Sequence, residues 1–157
     1  MKKKWWKILC VVILIYAILG ALLFDAPRLA ILNETIRNLH FHVTMWFGMI
    51  ILLTTSFVYA IKYLRSNQLE HDYISAEFAN AGVLFGILGI TTGAIWANYT
   101  WGEPWSGDPK QNSSAIALLI YFAYLVLRNS LEDEQQKARI GGIYNIFAFA
   151  TLIPLLF

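Results

Sequence analysis

The stretch Ile8-Leu9-Cys10-Val11-Val12-Ile13-Leu14-Ile15-Tyr16-Ala17-Ile18-Leu19-Gly20-Ala21-Leu22-Leu23-Phe24 holds no charged residue, and Lys2, Lys3, Lys4 and Lys7 stand before it. Counted from Trp5, the block is long enough to cross about 30 Å of hydrocarbon as a helix. It ends on Leu22, Leu23, Phe24 and Asp25, without the small residues of a cleavage site. It therefore reads as an uncleaved membrane helix rather than a secretory signal. Working outward, four more apolar blocks follow, and the predicted spans are 5–24, 43–63, 78–97, 113–127 and 140–157. The expected fold class is all-α: one polytopic membrane domain over residues 1–157, with about five transmembrane helices. Composition agrees, because 58% hydrophobic and 14% charged residues lie far from the roughly 25% charged residues of a soluble domain. A water-soluble globule is excluded.

The net charge of +2 is too small and too scattered for a nucleic-acid surface. Cys10 is the single cysteine, so C-x-x-C dithiol chemistry, C-x-x-C-H haem attachment and cysteine zinc sites are all absent. The placement of charge is more informative than its sum. With a cytoplasmic N-terminus, Lys2, Lys3, Lys4, Lys7, Lys62, Arg65, Arg128, Lys137 and Arg139 lie inside, and Arg28, Arg37 and Lys110 lie outside. That is a positive-inside bias. Trp5, Trp6, Tyr63, Trp96, Tyr99, Trp101 and Trp105 gather near span ends, where amphipathic rings anchor at headgroup level. The connection from Arg128 to Arg139 mixes both signs and reads as a solvated turn.

The unusual residues fall in two outer loops, 25–42 and 98–112. In the first, Ile31, Leu32, Ile36 and Leu39 recur near helical spacing and predict a short interfacial helix. The second, Asn98-Tyr99-Thr100-Trp101-Gly102-Glu103-Pro104-Trp105-Ser106-Gly107-Asp108-Pro109-Lys110-Gln111-Asn112, has the Gly and Pro content of a shaped loop. Asp108-Pro109 suits a helix N-cap with proline at the first helical position. Trp101 and Trp105 would form a flat apolar wall, and Gly102 and Gly107 permit close backbone approach. A porphyrin suits such a wall, and so would a quinone or a carbohydrate. His40 and His42 open the second span, with Trp46 one turn below His42. An imidazole there is either a hydrated surface group or an axial ligand to haem iron. The two histidines diverge by about 200° on a helix, so at most one is a ligand. His71 is on the inner side. No carboxylate pair, Ser/His/Asp set or phosphate loop is present.

The stretch Thr92 to Lys110 resembles the tryptophan-rich "WWD" segment of the cytochrome c assembly family, membrane proteins that handle haem. Its pattern is W-G-x-x-W-x-W-D. Trp101, Gly102, Trp105 and Asp108 match, and Gly107 replaces the third tryptophan. Arg37-Asn38-Leu39-His40-Phe41-His42-Val43 resembles the R-x-x-x-x-H-V start of the second span in the CcmC branch, which looks like the closest. The resemblance implies haem as cofactor, His42 as axial metal ligand, and Trp101, Gly102, Trp105 and Asp108 as the platform. Arg37 and Lys110 are the candidate cations for the propionates. It further implies presentation of haem to a haem chaperone and an ABC-type haem-release complex, at the periplasmic face of a bacterial inner membrane. The branch has six spans and a second axial histidine after the fifth, and this chain stops at Phe157. Either it is a fragment, which Leu155-Leu156-Phe157 without an anchoring charge suggests, or a partner completes the ligation, or haem is held less tightly. Two rival classes remain: a haem lyase acting on apocytochrome c, and a membrane subunit with a quinone or structural role and no haem.

Overall fold

The computed structural model describes residues 4–27 and 29–156. Lys2, Lys3, Arg28 and Phe157, used above in the charge count and the last span, lie outside the described residues. The described residues form five α-helices: α1 (Trp5–Leu23), α2 (Leu39–Ser66), α3 (Leu69–Trp101), α4 (Pro109–Asn129) and α5 (Glu134–Leu156). No strand occurs among the described residues. Among the described residues, four segments are long and apolar enough to cross a membrane: Trp5–Leu23, Asn33–Ser66, Leu69–Trp101 and Glu134–Leu156. The protein is a multi-pass helical membrane protein. The block expected to span at 113–127 is helical, but in α4 Pro109 is followed by the polar run Lys110, Gln111, Asn112, Ser113 and Ser114, and the helix is not among those four.

Three expectations change. The short helix of the first outer loop is a 3-10 segment, Asn33–Asn38, that runs directly into α2. Only Asn67 and Gln68 separate α2 from α3, so residues 69–77, read as part of a connection, are helical. The turn closes on Asn67, which sits at φ 53° with its N–H donating to the Tyr63 carbonyl at 2.7 Å. Asparagine tolerates that left-handed position better than most residues. At the other end α3 runs on to Trp101, and the second outer loop shrinks to residues 102–108.

The polar start of α3 is helical because its side chains have partners inside the bundle. Arg128 Nη1 on α4 donates to Asp72 Oδ1 at 2.8 Å, and Nη2 donates to Oδ2, a buried two-pronged ion pair. Gly141 on α5 makes room for it, since a Cβ there would stand 2.9 Å from Arg128 Nη1. Ser75 and Ser56 donate to each other's carbonyls at 2.8 and 2.7 Å, and Asn145 Nδ2 on α5 donates to both hydroxyls at 3.0 and 2.7 Å. Pairing of this kind offsets the cost of burying polar groups in an apolar setting, though Asn145 Oδ1 and Tyr121 OH are buried without a partner among the described residues. Around them Met49, Leu53, Ala79, Val83, Ala117, Tyr121, Tyr124, Ala148 and Leu152 form the core.

The α2–α3 contact is the most extensive. α1 has no buried residue. Arg37 ties its end to the rest, with Nη1 donating to the carbonyls of Ala21 at 3.1 Å and Phe24 at 2.5 Å.

Candidate functional site

At the end of the bundle where α2 begins and α3 ends, a cavity of about 690 Å³ opens between α2, α3, the 102–108 loop and the start of α4. That volume lies in the ~300–1,000 Å³ range of small-molecule and cofactor sites. Its walls are mostly apolar and aromatic, with Trp46, Trp96, Trp101 and Trp105 among them. Five of the seven residues singled out in the sequence line it together: His42, Trp101, Trp105, Asp108 and Lys110. They come from positions far apart in the chain, and the hairpin of α2 and α3 brings them to one place.

His42 is half-buried in the first turns of α2. Its Nδ1 lies 2.9 Å from the Gly89 carbonyl oxygen on α3, and its Nε2 lies 3.2 Å from Trp46 Nε1. The ring rests on Gly93, where a Cβ would stand 2.6 Å from His42 Cε1. Two indoles flank it edge-on, Trp46 and Trp96, each with its ring centre 6.1 Å away. Trp96 is itself held, donating from Nε1 to Thr35 Oγ1 at 3.2 Å. Asn38 Nδ2 donates to the Thr92 carbonyl at 2.9 Å, which docks the 3-10 segment on α3. His40, two residues away, is exposed. His71 is near the other end of α3 and bonds to Ser66.

The 102–108 loop is organised by the first turn of α4. Asp108 is the N-cap of that helix: its Oδ1 accepts from the backbone N–H of Lys110 at 2.8 Å and of Gln111 at 3.2 Å. Gln111 Oε1 accepts from Ser106 N–H at 3.1 Å, and its Nε2 donates to the Pro104 carbonyl at 3.3 Å. Asn112 Oδ1 accepts from Trp105 Nε1 at 3.1 Å, and Nδ2 donates to the Gly107 carbonyl at 3.1 Å. Trp105 is thus fixed by its polar edge, while Trp101, 60% exposed, is the freer of the two.

Gly102 and Gly107 both adopt the left-handed backbone conformation. Their φ values are 88° and 74°, and nothing lies within 4 Å of either Cβ position. Gly102 ends α3, with its N–H on the Asn98 carbonyl at 3.1 Å. At Gly107 a tryptophan would meet backbone strain.

Lys110 lines the cavity and its Nζ donates to the Leu156 carbonyl at 3.2 Å, tying α4 to the end of α5. Arg37 is not among the lining residues. Its guanidinium is engaged by α1 and by Glu34 at 3.6 Å. Trp46, Trp96, Gly89 and Gly93 were not singled out as site residues in the sequence. The signal for Trp46 was its place four residues after His42 on a helix, which puts the two side chains together. The residues present fit an iron porphyrin, since an imidazole, four indoles and the ammonium-bearing Lys110 line one cavity.

Residues 3–157 match the family model described as "Cytochrome C assembly protein". The cytochrome c biogenesis protein CcsA of Pelargonium hortorum is 43% identical over 91 residues, which is 57% of this chain and 29% of that protein. The CcsA proteins of Cuscuta reflexa and Carica papaya are 34% and 35% identical over 86 and 94 residues, 54% and 59% of this chain and 28% and 27% of theirs. The matched stretch spans less than a third of the length of these relatives. They carry the CcsA name, not that of the CcmC branch to which the short motifs pointed. Identity over some ninety positions outweighs a handful of motif residues.

Proposed function

Because the chain belongs to the cytochrome c assembly family, we propose that it handles haem during cytochrome c maturation, holding it in the cavity at the His42 end and passing it on. The observation that carries this reading is a single imidazole, fixed against α3 through Nδ1, that lines a cavity walled by tryptophans. A bound haem supplies the planar apolar body, the iron and the two propionates. The chain supplies the rest. His42 would offer the metal a neutral nitrogen, Trp101 and Trp105 would pack against the planar body and exclude water, and Lys110 would meet a carboxylate. Asp108 and Gly102 act through the backbone, by starting α4 and ending α3. Arg37 contributes by holding α1.

The proposed setting is a bacterial inner membrane with the N-terminus cytoplasmic and the cavity periplasmic. The proposed recipients are a haem chaperone and an ABC-type haem-release complex. A second reading, in which the chain takes part in attaching haem to apocytochrome c, gains from the CcsA names, since the chaperone and ABC-type partners came with the CcmC motif.

The test is the absorbance spectrum of detergent-purified protein. Wild type and His40→Ala are expected to show a haem Soret band, and His42→Ala to lose most of it. Trp101→Ala and Trp105→Ala should each weaken haem binding by roughly 1 to 3 kcal/mol, the size of aromatic stacking platforms elsewhere. Equal haem retention by His42→Ala and wild type would sink the reading in favour of a non-haem subunit.

A further inference from the structure

The two ring nitrogens of His42 face partners of fixed and opposite polarity. The Gly89 carbonyl at 2.9 Å can only accept, and the Trp46 indole N–H at 3.2 Å can only donate. Only one neutral tautomer satisfies both: the proton is on Nδ1 and the lone pair on Nε2. A proton on Nε2 would set N–H against N–H. Thr92 Oγ1, 3.4 Å from Nδ1, is compatible with this, because its hydroxyl has the Leu88 and Gly89 carbonyls to donate to, at 2.8 and 3.1 Å.

The nitrogen that a metal would use is therefore already engaged by an indole. Trp46 lies one turn along α2, lines the same cavity, and packs against Gly89. Its N···N separation is at the long end for such bonds, so the contact holds the imidazole without locking it.

We propose that Trp46 is a positioning residue that competes with the metal for His42: its N–H occupies the Nε2 lone pair in the empty protein, yields it when iron binds, and reclaims it on release. This rests on the haem reading of the cavity given above. The exchange is balanced, since the lone pair passes from the indole hydrogen to the metal and no proton leaves the imidazole. For a protein that must hand its cargo on, a resident competitor lowers affinity and shortens residence without removing the ligand.

The experiment uses the full chain in detergent. Trp46 is replaced by phenylalanine and, separately, by benzothienylalanine inserted at that site alone, which keeps the bicyclic ring and removes the N–H. In the porphyrin-free protein, ¹⁵N-histidine NMR, with the His42 signals identified by their loss in His42→Ala, should show the proton on Nδ1. Nε2 should carry a hydrogen-bond shift that disappears in both Trp46 variants. In titrations with hemin, the benzothienylalanine protein should bind about three- to tenfold more tightly than wild type, the effect of one neutral hydrogen bond, with slower dissociation. A His42 proton on Nε2 in wild type, or hemin affinity unchanged or lowered in the benzothienylalanine protein, overturns the proposal. Equal hemin binding by wild type and His42→Ala overturns the haem reading on which it rests.

Discussion

Gly93 is the residue at which one added methyl group would act most directly on His42. A Cβ there stands 2.6 Å from Cε1 of the imidazole, so Gly93→Ala must push the ring off α3 and away from the Gly89 carbonyl. Alanine is also the better helix former by up to about 1 kcal/mol. Gly93→Ala is expected to melt no lower than wild type by much, yet to bind hemin roughly tenfold more weakly; a variant that melts and binds like wild type would show that the ring does not depend on that seat. At this scale the sequence was legible where the pattern is local. Asp108 before Pro109 announced a cap, and Asp108 does accept from the next N–H groups of α4. Trp96 was not legible. It reads as a headgroup anchor near a span end, and its nearness to His42 comes from helix pairing across 54 residues, which no short motif encodes.

Among the elements, α3 differs most from its sequence reading. Hydropathy measures transfer into lipid, so it stops where polar residues begin, and Glu70, His71, Asp72, Ser75 and Glu77 look like a connection. Helix formation asks a different question, which is whether those groups are satisfied. Asp72 meets Arg128, Ser75 meets Ser56, and the helix continues to Leu69. The element is therefore fastened by charge as well as by packing. Asp72→Ala leaves a buried guanidinium unpaired and should cost about 3–5 kcal/mol, whereas Asp72→Leu with Arg128→Met should recover much of that loss. Thermal unfolding in detergent checks both. Equal melting of the single and double variants would mean that the pair contributes nothing by being a pair. Arg128 carried no signal of this kind in the sequence, where it counted only as an inside charge.

For the whole molecule, the even number of helices between the two outer loops requires them to share a side, and His42, Trp101, Trp105 and Lys110 do line one cavity. Asn98, near that cavity, and Gln135, at the opposite end of the bundle, are both exposed. In a Cys10→Ser background, an impermeant maleimide added to intact cells should label Asn98→Cys and spare Gln135→Cys; the reverse pattern would invert the proposed orientation. The number of helices and their order followed from the apolar blocks. The position of the cavity did not, because it depends on α2 and α3 turning back within two residues. The fully buried polar fastenings lie toward the end of the bundle away from the cavity, where the bonds of His42, Asn38 and Trp96 are only part-buried. Ser56 is fourteen residues beyond His42 on α2, about 21 Å along its axis, and Asp72 with Arg128 lies farther still. At the cavity end, among the described residues, the hydrogen bond between α4 and α5 is that of Lys110 Nζ to the Leu156 carbonyl. Local opening is therefore expected first at the cavity end and last around Asp72 and Arg128, an order that backbone hydrogen exchange would read.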